Sequence, residues 1–131
     1  MTKEIKDLIE VSRFYGSNKE YVIAGGGNTS YKNDKYLYIK ASGINLSSID
    51  ENGFCVLDRE KLNKISDFQF SSDPAIREDE VKKALLNART DPSSGLRPSV
   101  ETSLHNLFSY TYVVHTHSTI VNGLMCSNSA A

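Results

Sequence analysis

Apolar residues near the start of the chain fall on a broken helical stripe: Ile5, Leu8, Ile9, Phe14 and Tyr15, with Ser12 on the same side and Gly16 at the end. The spacing predicts an amphipathic helix that packs one face on the rest of the chain. The pattern then becomes strand-like. Tyr21-Val-Ile-Ala24 and Tyr36-Leu-Tyr-Ile-Lys40 are aromatic and β-branched, and they read as extended segments on either side of Gly25-Gly-Gly-Asn-Thr-Ser30. Ala41-Ser42-Gly43 closes the second segment. Asn52-Gly53 is a turn signal before a further strand, Phe54-Cys-Val-Leu57.

Lys61 to Phe70 reads as an edge strand or a loop, and Ser71-Ser-Asp-Pro74 as surface turn chemistry. Helical spacing returns at Val81, Ala84, Leu85 and Ala88, predicting a helix over Ile76–Thr90 that the segment Asp91 to Pro98 stops. Ser99 is the expected N-cap of a next helix, Glu101 to Phe108, with Leu104, Leu107 and Phe108 on one face. Tyr110 to Val114 is a β-rich run ending in His115-Thr-His117, and Thr119 to Cys126 is consistent with another helix. Helix, short sheet, two helices and strand make a mixed α/β chain, its sheet largely antiparallel and covered by helices.

Composition narrows the classes without choosing among them. The 131 residues suffice for one core, so a single domain is the expectation. Fifteen basic against sixteen acidic residues leave a net charge of -1, which offers no bulk field for nucleic acid or an anionic membrane. Cys55 and Cys126 lie far apart without metal-type spacing and read as buried thiols of a reducing compartment. The charged N-terminal segment lacks a secretory apolar core and no run approaches a membrane span, so the expected location is the cytoplasm.

Four places could carry chemistry. Gly25, Gly26 and Gly27 can present backbone N–H groups as an anion nest, with Asn28, Thr29 and Ser30 adding side-chain donors; a tight turn between strands is the other reading. Ser42-Gly43 and Ser99 are similar neutral-donor spots, each also explained as a turn or a cap. Glu101 is either a surface carboxylate facing a helix dipole or, near a cation, a ligand or proton carrier. His105, four residues on, shares its face and reads as a half-buried histidine or a partner of Glu101. His115 and His117 point to one side of a strand, about 6.6 Å apart along it, close enough to share an ion.

Gly-Gly-Gly-Asn-Thr-Ser30, Lys40-Ala-Ser-Gly43, Pro98-Ser-Val-Glu-Thr102 with His105, and Val113-Val-His-Thr-His117 occur in the order and spacing of the class II aldolase/adducin family, which this chain resembles from about residue 5 onward. It is most similar to fuculose- and rhamnulose-1-phosphate aldolases, including aldolase parts fused to a short-chain dehydrogenase. The resemblance implies a class II aldolase-like α/β/α domain, with residues 1–131 as its N-terminal part. It implies a zinc-dependent retro-aldol cleavage of a ketose 1-phosphate to dihydroxyacetone phosphate and lactaldehyde. On that pattern His115 and His117 are zinc ligands, and Glu101 is the acid/base group that also touches the metal. Gly27, Asn28, Ser42, Gly43 and Ser99 bind the substrate phosphate.

Members are homotetramers, so the complete protein is expected to be one. Val100 stands where many members carry a second polar residue. The family's third zinc histidine lies beyond Ala131, and the expectation is a truncated and inactive fragment. Sugar-phosphate 4-epimerases and a dehydratase share the pattern, as does a non-catalytic adducin-like module, although this chain retains the glutamate and histidine pair that such a module would lose.

Overall fold

The computed structural model describes residues 2–18, 20 and 26–116. The expected strand Tyr21–Ala24, His117, Cys126 and the expected helix Thr119–Cys126 lie outside them. Helix α1 runs Lys3–Gly16, capped by Thr2, whose side chain accepts a hydrogen bond from the Ile5 N–H. Strands β1 (Asn28–Lys32), β2 (Tyr36–Lys40) and β3 (Phe54–Asp58) follow. Then come helices α2 (Arg59–Ile65), α3 (Pro74–Asn87) and α4 (Thr102–Leu107), and strand β4 (Tyr112–His115). The sheet order is β3-β2-β1-β4 and all its pairings are antiparallel.

Alternation along the strands explains the layering. Leu37, Ile39, Cys55 and Leu57 point to one side and form a buried core with Leu62 and Ile65 of α2 and Leu85 of α3. Tyr31, Tyr38 and Phe54 point to the other side, against Leu8 and Ile9 of α1. The result is an α/β/α arrangement with a central antiparallel sheet. On the α1 side the rings of Tyr38, Tyr31 and Tyr112 stack across neighbouring strands, with centroids 5.7 and 5.3 Å apart. Ser12 of α1 reaches Thr29 of β1, Oγ to Oγ1, at 2.7 Å.

Three expectations change. Lys61 to Phe70 is neither strand nor plain loop: it holds most of α2, because Asp58 at the end of β3 accepts from the Glu60 and Lys61 N–H groups and starts a helix at once. The glycine run is followed directly by a strand, β1, whose polar sequence Asn-Thr-Ser-Tyr-Lys hides its alternation. Helix α4 starts at Thr102, later than expected, with Glu101 at its N-cap position. Its buried residues are Thr102 and His105, while Leu104 and Leu107 are exposed.

Candidate functional site

Strand β1 sends Asn28, Ser30 and Lys32 to the face covered by α4, where a sheet would ordinarily place hydrophobes. All three are buried, and two of them hold α4 in place. The Lys32 ammonium donates to the backbone carbonyls of His105 and Tyr110. Ser30 Oγ lies 2.6 Å from His105 Nδ1, so the imidazole is anchored on the strand. His105 is fully buried, not half-buried, and burial drives its pKa down to about 4, with His115 and Lys32 adding to the drop and Glu101 opposing it.

One turn earlier on the same face stands Glu101. Its Oε2 is 2.8 Å from His115 Nδ1 and 3.9 Å from His105 Nε2. The three residues could hold a metal ion, since one ligand atom from each lies within 4.8 Å of the others. Imidazole nitrogen and carboxylate oxygen are donors suited to zinc. Among the described residues, His105 Nε2 and Asn28 Oδ1 are buried side-chain atoms without a hydrogen-bond partner. Glu101 and His115 are each about one-third exposed, so this corner is open to solvent.

The ladder brings the end of the glycine run to the same place. Asn28 is registered opposite His115, and Gly27 before it has φ of 80°. In that left-handed conformation a side chain would be strained. Thr29 and Ser30, expected to add ligand donors, are already engaged with Ser12 and His105.

Ser42 and Gly43 are joined to the segment before Glu101. The Ser42 N–H donates to the Arg97 carbonyl at 2.9 Å, and Ala41 bridges Pro98. Gly43 has φ of +83° and open space around its Cα. Ser99 Oγ accepts from the Glu101 N–H at 3.1 Å, so it fixes the turn carrying Glu101 instead of capping α4 itself. With only six residues in α4, the anion-binding argument passes from a helix N-terminus to these loop groups.

Lys40 was not singled out by sequence reasoning. It is buried two residues before Ser42, donates to the Ile44 carbonyl, and feels the Glu101 carboxylate; burial lowers its pKa and Glu101 works against that. A lysine inside the apolar strand Tyr36–Lys40 was the available signal. Cys55 is buried in the core and its thiol is pushed up to about 11, which argues against a chemical role. No helix among the described residues is long and apolar enough to cross a membrane.

Residues 6–130 match the Class II Aldolase and Adducin N-terminal domain. The chain is 28% identical over 143 aligned residues to the "Uncharacterized oxidoreductase YuxG" of Bacillus subtilis (strain 168), covering 98% of this chain and 19% of that protein. It is 34% identical over 55 residues to an L-fuculose phosphate aldolase of Methanococcus vannielii, covering 42% of this chain and 30% of that one. A solved N-terminal class II aldolase domain of a conserved Thermoplasma acidophilum protein superimposes with a TM-score of 0.79 at 28% identity, covering 98% of this chain and 61% of that one. The chain thus spans a fifth to about three-fifths of these relatives' lengths. The match over residues 6–130 and the superposition make this chain a member of the class II aldolase/adducin family.

Proposed function

We propose that the protein of which this chain is part cleaves a ketose 1-phosphate by a zinc-dependent retro-aldol reaction, giving dihydroxyacetone phosphate and an aldehyde such as lactaldehyde. The observation that carries the reading is the Glu101 carboxylate between two imidazoles, at 2.8 Å from His115 and 3.9 Å from His105. His115 and Glu101, with His117, are the residues that would hold the zinc. A bound zinc supplies Lewis-acid polarisation of the ketose oxygens. Gly27, Asn28, Ser42, Gly43 and Ser99 offer neutral donors for the phosphate, which holds the scissile carbon–carbon bond in place. When that bond breaks, the hydroxyl on the aldehyde side loses its proton and the carbon beside the ketone gains one. Glu101 carries the proton to that carbon. The buried Lys40 ammonium adds positive charge on the Ser42 side of the site.

The match to a protein named an oxidoreductase suits the same chemistry, because the aldehyde released by cleavage is itself oxidisable. Tetrameric assembly and a cytoplasmic location belong to this reading too.

The test uses the full-length protein and a panel of ketose phosphates, in wild type and in Glu101→Gln. The expected result, per bound zinc, is cleavage slowed by about 10²–10⁴-fold, the usual contribution of a positioned proton carrier. Equal turnover in the two proteins would remove Glu101 from the proton-carrying role. Epimerised or dehydrated products from the wild type would move the reaction to another class on the same fold.

A further inference from the structure

We propose that His105 is a positioning residue for Glu101: a neutral imidazole with its proton on Nε2, its Nδ1 fixed by the Ser30 hydroxyl, giving its N–H to the Glu101 carboxylate. The proposal builds on the reading of Glu101 as proton carrier, but it rests on geometry that is independent of any substrate.

Two tautomers are open to a neutral imidazole, and the surroundings discriminate between them. Ser30 Oγ is buried, bonded to His105 Nδ1 at 2.6 Å. If Nδ1 carried the proton, it would donate to Ser30 Oγ and leave the serine hydrogen needing another acceptor inside the protein. The bare Nε2 lone pair would then face the Glu101 carboxylate at 3.9 Å, two electron-rich groups turned toward each other. With the proton on Nε2, Ser30 donates to Nδ1 and is satisfied. Of the Ser30–His105 pair, the group then still short of a partner among the described residues is an N–H 3.9 Å from a carboxylate oxygen. A buried polar group left unpaired is costly, so the second arrangement is the stable one. It also accounts for His105 Nε2 having no hydrogen-bond partner among the described residues: the nearby acceptor is a side chain about one-third exposed, able to close the remaining distance.

The ring cannot follow Glu101 outward. Lys32, two residues beyond Ser30 on the same face of β1, donates to the His105 carbonyl at 3.0 Å, so both the backbone and the ring of this residue are tied to the strand. Glu101, by contrast, sits at the N-cap position, where no side-chain cap bond restrains it. Among the described residues the carboxylate's hydrogen bond is to His115 on β4, and it could swing with that strand. An N–H from the sheet-anchored His105 fixes its second direction, as outer partners of reactive or metal-binding carboxylates do.

The experiment is long-range ¹H–¹⁵N correlation NMR on the metal-free 131-residue chain with ¹⁵N-labelled histidine, the His105 signals assigned by their loss in His105→Gln. The expected spectrum shows the Nε2–H tautomer with a slowly exchanging ring proton, and Glu101→Ala shifts that resonance upfield and speeds its exchange. An Nδ1–H tautomer, or an Nε2 resonance indifferent to Glu101→Ala, overturns the proposal. Glu101 is partly exposed, so its replacement leaves the core intact and the comparison readable. If the spectra agree while Glu101→Gln leaves turnover unchanged, the proton-carrying role of Glu101 fails and the positioning contact stands; the reverse pattern separates them the other way. In active full-length protein, His105→Phe should lower kcat with little change in KM, and His105→Gln, which keeps an N–H at the far end, should restore part of it. Equal kcat for wild type and His105→Phe would also overturn the role.

Discussion

His105 is an imidazole placed where charge is costly, and that makes the stability of the metal-free chain depend on pH. Its folded pKa is about 4 against 6.5 for a free imidazole, so between those values the unfolded chain binds more protons than the folded one. Stability therefore falls as pH is lowered through that window and is unaffected by this group above it. The slope is at most about 1.4 kcal/mol per pH unit. Urea midpoints of wild type and His105→Gln should converge as the pH drops from neutrality toward 4.5; parallel curves would mean that the imidazole is not buried in neutral form. Glu101 and His115 were legible as residues because a carboxylate and a strand histidine stand out against their neighbours. Ser30 was left open as a ligand donor because a hydroxyl after a glycine run looks the same whether it faces a ligand or, as here, a buried ring.

Among the elements, α1 approaches the turn at Leu46–Ser48 more closely than a side chain would allow. A Cβ at Gly16 would lie 2.5 Å from Leu46 Cβ and 2.5 Å from the Ser47 backbone nitrogen. Gly16→Ala gains up to about 1 kcal/mol of helix propensity. Overlap with fixed backbone outweighs that, and a net loss of about 1–3 kcal/mol is expected, read as a lower urea midpoint with an unchanged slope. An unchanged midpoint would show that α1 can lift off that turn without cost. The same contact marks a limit of pattern reading: the periodicity ended α1 at Gly16, but the reason for a glycine there lies 30 residues away in Leu46.

Strands β2 and β3 were legible because apolar and β-branched residues dominate them. Helix α2 was not, since its start depends on one cap, Asp58, and its buried residues are only Leu62 and Ile65. The apolar run of α4 misled in the other direction. Leu104 and Leu107 suggested the inward face, yet the inward residues are Thr102 and His105, because the strand beneath them is polar.

At the scale of the whole molecule, the candidate ligands come from elements distant in sequence. Glu101 precedes α4, His115 ends the edge strand β4, and both meet only if β4 pairs with β1 and α4 lies over that pair. An unfolded chain cannot keep this geometry, so a cation that uses it binds the folded state preferentially and stabilises it. Zinc at about 100 times its dissociation constant should add about 2.7 kcal/mol, which for a chain of 131 residues corresponds to a rise of roughly 10 °C in Tm. The check is a thermal melt with and without zinc, beside the same pair of melts for His115→Ala. The rise should vanish in the variant while its metal-free Tm stays near that of wild type, because His115 is partly exposed and contributes little to the core. A zinc-dependent rise of equal size in His115→Ala would place the cation elsewhere on the molecule and remove the physical basis for reading this corner as a metal site.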